Sequence, residues 1–283
     1  MTALLPVVAL VPFWLLALVV VWLPFWALWG VAYWWFPLGW LLAGALLFVR
    51  PIQVAVLTPL LGARRPTGDE LDVIGPLWWD LARAAELPPS RYVVRVLPSD
   101  DLNAFACGGH LVVVTDFAVA TLPRTELAGV LAHELSHHLG FHTVALTIGH
   151  WLSLPVVVLA RIGFFLQNVA RAATDSFAAH SAALTALGRV IADFLTGVSW
   201  LFLAALYASD ALANLVAHSS EFEADRRAVR MGYGRSLSAA LRRVISLGGG
   251  GRPIGWRARL GASHPPARTR VARIEAMMRH PSR

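Results

Sequence analysis

A mainly α-helical membrane protein with a small β-sheet and about four transmembrane helices is the fold class predicted by the sequence. Three observations point there. Of 283 residues, 57% are hydrophobic and 14% charged, with a mean hydropathy of +0.60, whereas a water-soluble domain carries about 25% charged residues. No Asp, Glu, Lys or Arg occurs before Arg50. Two later apolar stretches, Thr143 to Gln167 and Val190 to Ala217, interrupt a chain that otherwise regains charges, Pro and Gly.

A bilayer core takes about 20 apolar residues per helix, so residues 1–49 read as a transmembrane hairpin. Its spans run from Leu4 to Leu23 and from Val31 to Phe48, with a Trp-rich turn from Pro24 to Gly30. A basic start and a small-residue exit are both missing, so this is a retained anchor rather than a signal peptide. Trp14, Trp22, Trp26, Trp29, Trp34, Trp35 and Trp40 suit either aromatic belts or helix packing.

Residues 50–142 form the next segment, which carries the HExxH helix, and within it 64–142 read as soluble structure. The patterns predict a helix over Glu70 to Glu86, strands over Arg91 to Leu97 and His110 to Thr115, and a short helix over Asp116 to Thr121. A further helix follows over Arg124 to Leu139, with Leu127, Val130, Leu131 and Leu135 on one side and Gly140 as its stop. Residues 143–217 form the second apolar pair, joined by a short mixed segment from Arg171 to Arg189. It is interrupted by His150, Pro155, Arg161, Asp193 and Asp210, and charged residues in a span are costly unless they snorkel or face protein, so an interfacial or buried pair is the alternative to a second hairpin. Residues 218–283 return to polar structure with an Arg-rich tail.

Arg50, Arg64 and Arg65 follow the first pair, and Arg226, Arg227 and Arg230 follow the second, while the first turn is uncharged. The positive-inside rule then predicts a multi-pass protein of the cell (inner) membrane whose water-exposed part faces the cytoplasm. The tail after Arg226 contains one acid, Glu275. With no nucleic-acid motif beside it, the expected partner of that charge is anionic lipid or solvent, and no nucleic acid is expected. The single cysteine, Cys107, excludes an intramolecular disulfide and fits a reducing compartment. It reads as a buried structural thiol.

Chemistry concentrates in His133-Glu134-Leu135-Ser136-His137. On a helix, residues four apart share a face, so both imidazoles can meet one Zn²⁺ while Glu134 faces a reacting water. A third protein ligand is needed. His142 is one residue out of register for the HExxHxxGxxH arrangement, because position 143 is Thr143, so His138 and His142 read as supporting or surface residues. In Glu221-Phe222-Glu223-Ala224-Asp225, Glu221 and Asp225 share a helical face; Glu221 suits the third ligand position and Asp225 suits a role orienting His133. Glu223 points about 200° away and reads as solvated.

These pieces resemble the HtpX-like membrane zinc endopeptidases, metallopeptidase family forty-eight among the gluzincins, a family that also contains CAAX prenyl proteases. The matching residues are Asn103-Ala104-Phe105-Ala106 with Gly108-Gly109, Val112 to Thr115, Glu126 to His137, Glu221 to Asp225, Gly232-Tyr233, and His264-Pro265-Pro266 before Arg270. The resemblance implies a gluzincin-like zinc protease domain with one Zn²⁺ per chain, His133, His137 and Glu221 as ligands, Glu134 as catalyst, and polypeptide substrates. It also suggests that Asn103, Ala104, Phe105 and Ala106 hold an extended substrate by strand pairing, the alternative being an ordinary loop. The oxyanion-stabilising group stays open among Tyr207, His218, Tyr233 and His264. The expected function is cleavage of membrane or membrane-adjacent proteins in quality control. A membrane sensor with a zinc site and a CAAX-type prenyl protease are the alternatives.

Overall fold

The computed structural model describes residues 4–140, 142–177, 181–247 and 266–279. The chain divides into two compact units, residues 1–44 with 148–213 and residues 45–147 with 214–283.

The first unit is helical. It contains α1 (Leu5–Trp29), most of α2 (Trp35–Leu46), and the larger parts of α7 (His142–Phe177) and α8 (Ala182–Arg230). Its interior is Leu10, Trp14, Ala17 and Leu18 of α1 against Leu152, Val156 and Ala160 of α7 and Phe202 of α8. Its outside is apolar too, with Val8, Leu28, Val158, Phe165, Phe194 and Trp200 exposed. Helices that are apolar all round match a lipid surrounding rather than a water-facing surface. Leu5–Trp29, Thr143–Ser176 and Ala182–Asp210 are long and apolar enough to cross a membrane; the pair α2 and α3 (Arg50–Leu60), bent by 87°, would make a fourth.

Boundaries differ from the sequence expectation in three places. Helix α1 continues through Pro24 to Trp29, stopping at Gly30 in the left-handed conformation; proline is tolerated in apolar helices where neighbours satisfy the freed carbonyl. The second stretch does not stay straight to Phe48. It ends at Leu46, and a new helix starts at Arg50-Pro51, since proline lacks an N–H and suits the first turn of a helix. Finally, α7 and α8 overrun their apolar stretches, so the mixed segment from Arg171 to Arg189 is mostly helical, and Glu221 and Asp225 lie on the same helix as the preceding apolar residues.

The second unit contains a three-stranded sheet and the remaining helices. Strand β3 (Leu111–Thr115) is central, with β1 (Val93–Leu97) parallel on one side and β2 (Ala104–Cys107) antiparallel on the other. Its run Leu-Val-Val-Val-Thr is buried at every residue because both faces are covered. Val112 and Val114 face a core with Ile74, Trp78 and Leu81 of α4 (Gly68–Ala84) and Leu127, Leu131 and Leu135 of α6 (Arg124–Leu139). Leu111 and Val113 face Leu57 and Leu61 from around α3. The same α3 buries Gln53, whose Oε1 accepts from the Gly109 N–H at the β2–β3 turn.

Helix α4 starts at a capping box between Thr67 and Glu70, and Glu70 also takes both nitrogens of Arg64 at 2.7 Å. Short α5 (Asp116–Thr121) leads into α6, which packs on α9 (Gly234–Ser246), and α9 packs on α10 (Ala267–Arg279). Gly129 permits the α6–α9 approach: a Cβ there would lie 2.3 Å from the Leu237 backbone nitrogen.

Candidate metal centre

Helix α6 begins behind Pro123 and ends at Gly140. Glu126 in its first turn meets Arg243 of α9 through two bonds of 2.6 and 2.9 Å, an ion pair that joins the two helices. The apolar side holding Leu127, Leu131 and Leu135 faces the core, which leaves His133, Glu134 and His137 on the adjoining side toward β2 and α8. Helix α8 has no Gly or Pro between Gly197 and Gly232, so nothing in its sequence ends it before Glu221 and Asp225.

His133 Nε2 and His137 Nε2 lie 3.2 Å apart. Glu221 lies 3.3 Å from the first through Oε2 and 3.1 Å from the second through Oε1. A tetrahedral ion bound at about 2.0–2.2 Å would hold its ligand atoms about 3.4 Å apart, so these three side chains fit a metal ion with little adjustment. His133 and Glu221 are buried at 3% exposure each, while the His137 side chain keeps 11% and lines a small cavity with Ser136, Gly140, Glu223 and Arg227. Asp225 Oδ1 lies 3.0 Å from His133 Nδ1, which directs the ring's Nε2 toward the other two residues. Burial and the Arg270 charge press His133 toward neutrality, but Glu221 and Asp225 outweigh them and hold its pKa up at about 9. Metal binding would therefore release a proton.

Glu134, 4% exposed, accepts from the Ala106 N–H at 2.9 Å through Oε2. That N–H points away from β3, on the side of β2 that has no neighbouring strand. The segment from Ala104 is thus a strand, not an ordinary loop, while Asn103 leads into it with its N–H donated to Thr115 Oγ1. Glu223 turns away and pairs with Arg226 and Arg227.

His138, beside the site in sequence, belongs to the core. It bonds the Leu111 carbonyl and Thr143, stacks on Tyr92, and burial pushes its pKa down to about 4. Among the oxyanion candidates, Tyr207 is exposed in the other unit and Tyr233 packs against the α4–α6 core. The side chain of His218 and all of His264 lie outside the described residues.

Arg270 of α10 reaches the candidate site, and the sequence did not single it out as a participant. It is 5% exposed and grips both oxygens of Asp225, Nε to Oδ2 at 3.0 Å and Nη2 to Oδ1 at 2.6 Å. The available signal was its position one helical turn before Ile274, which is fully buried. Burial works against the Arg270 charge, and Asp225, Glu221 and Glu134 more than compensate.

The chain matches the model of Peptidase family M48 over residues 77–278. A curated relative, a Protease HtpX homolog of Salinibacter ruber, is 26% identical over 248 residues, covering 79% of this chain and 80% of its own. Another of the same description from Acidiphilium cryptum is 29% identical over 222 residues, covering 70% and 71%. In three dimensions the crystal structure of S. mikatae Ste24p is similar in fold, with a TM-score of 0.53 and 17% identity; the likeness spans 91% of this chain but 61% of that protein. With its apolar helices and its family match covering well over half its length, the chain belongs to Peptidase family M48 and is a membrane metalloprotease.

Proposed function

We propose that the protein is a zinc-dependent endopeptidase whose metal is held by His133, His137 and Glu221, and whose general base is Glu134. The convergence of those three side chains beside Glu134 and an edge strand carries this reading. When bound, zinc would supply Lewis-acid polarisation of the scissile carbonyl and make water more acidic. The residues supply the rest. Ala106 fixes one oxygen of Glu134, leaving the other to take a proton from the attacking water and later deliver it to the leaving amine. Apart from the Ala106 N–H taken by Glu134, the outward edge of β2 offers backbone pairing to an extended peptide, so the chain is held by its main chain and side-chain demands stay few.

The basic residues after each apolar pair support a cytoplasm-facing protease unit. A catalytic unit joined to membrane helices and binding through main-chain bonds suits cleavage of membrane or membrane-adjacent proteins in quality control. In detergent, Glu134→Gln is expected to lower casein cleavage by about 10²-fold or more while metal analysis still finds one zinc per chain; undiminished cleavage sinks the assignment. The fold likeness to Ste24p is compatible with one second reading, CAAX-type cleavage. Efficient cleavage of a prenylated CAAX peptide, with casein left intact, would select it.

A further inference from the structure

We infer that Arg270 is a positioning residue for the metal site: its guanidinium locks Asp225 and Glu221 together against His133, so that α10 sets the geometry of the third ligand. The inference rests on the reading of His133, His137 and Glu221 as metal ligands.

Three contacts define the arrangement. The fork formed by Nε and Nη2 spans both Asp225 oxygens at 3.0 and 2.6 Å. Nη1 lies 3.2 Å from Glu221 Oε2. Nη2 is also 3.1 Å from both ring nitrogens of His133. An atom that close to both nitrogens in the plane of the ring would overlap ring carbons, so Nη2 lies over the ring face. The in-plane lone pair and N–H of His133 are left to the metal position and to Asp225. One side chain therefore fixes the orienting carboxylate, the ligand carboxylate and the ring that both address.

Charge balance explains why a cation belongs there. Glu134, Glu221 and Asp225 are all buried. A divalent ion offsets two negative charges and the third needs a partner, because an uncompensated buried charge is strongly destabilising. Lys could supply the charge but not the planar fork that spans two carboxylate oxygens while its third nitrogen reaches Glu221. The rest of α10 is held independently of the site: Ile274 enters the core, and Glu275 meets Ser238 and Arg242 of α9.

The test compares wild type, Arg270→Lys and Ile274→Ala, each in the full chain in detergent and loaded with zinc alone or cobalt alone. Zinc release to an excess of chelator and the visible spectrum of the cobalt form are the readouts. Changing the partner of a metal ligand weakens metal affinity by about 10–100-fold, so Arg270→Lys is expected to release zinc about tenfold faster or more and to shift the cobalt bands. Ile274→Ala, which loosens α10 without touching the site, is expected to stay within about threefold of wild type with unchanged bands. Equal release from wild type and Arg270→Lys overturns the inference, as does an Ile274→Ala variant that reproduces both effects. A wild type that holds no metal overturns the metal-site reading and this inference with it.

Discussion

In the unit formed by residues 1–44 and 148–213, uncharged polar side chains bond backbone oxygens, and the charge pair Arg171–Asp193, at 3.7 Å, is exposed. Trp40 and Trp151 each donate to the other's carbonyl while their rings stack at 4.7 Å, Trp22 donates to Val31, Tyr33 to Leu15, and Ser199 to Leu195 one turn back. In the other unit, charges meet charges from distant parts of the chain, Arg270 with Asp225 in the interior and Arg243 with Glu126 at a half-buried position. The difference follows the two solvents. Where lipid replaces water, a charge has no hydration to return to, so polar groups are few and are satisfied by backbone acceptors. In the second unit, the hydrophobic core carries a concentrated ionic cluster, and that cluster is the candidate metal centre.

Glycine substitutions break this comparison most strongly. A Cβ at Gly129 meets backbone of α9 at 2.3 Å, whereas one at Gly163 meets the Ser199 hydroxyl at 2.1 Å, and a hydroxyl can rotate away. Gly129→Ala is therefore expected to destabilise its unit by about 2–3 kcal/mol, near the upper end of ordinary overpacking costs, and Gly163→Ala by less than about 1 kcal/mol. Chemical unfolding in detergent measures both; equal losses would mean that the two kinds of helix contact do not differ in rigidity.

A smaller effect sharpens the ionic side. The Arg64 guanidinium holds the Glu70 carboxyl down at about 2, against an ordinary value of 4.5. A depressed folded-state value means that the contribution is complete above about pH 4.5 and disappears as the pH falls toward 2. Glu70→Gln should lower stability at pH 7 and flatten the acid limb across that window. An acid limb identical to wild type would show the pair to be inert.

The smallest effect concerns Cys107 on the edge strand. Burial pushes its thiol up to about 11, so alkylation at pH 7.5 is expected to be on the order of a hundredfold slower than for a free thiol. Reaction at the free-thiol rate, followed by mass spectrometry, would mean that β2 opens readily.

Legibility varied in the same way between the units. The limits of α5 and α6 follow from Asp116, Pro123 and Gly140, and β3 from its unbroken apolar run, because local chemistry decides them. His133, Glu134 and His137 announced themselves by spacing alone, and Glu221 with Asp225 by helical periodicity. The continuity of α8 is not legible: hydropathy falls after Ala217 while the backbone has no reason to stop, and hydropathy carries no information on where a helix ends. Strand β2 has just four residues, two of them alanine, and owes its extended form to pairing with β3 rather than to propensity. Arg270 was hidden by company, since one buried arginine among many exposed ones differs only in what surrounds it.

The distribution of the candidate ligands along the chain also sets a clock. His133 and His137 are synthesised before all of α7 and most of α8, Glu221 comes near the end of α8, and Arg270 later still. At about 5–20 residues per second, the interval between the second and third ligands is on the order of ten seconds. A nascent chain with the proposed ligand set is born latent: its hydrolytic power arrives only after both intervening helices have been made, long after strand β2 has emerged.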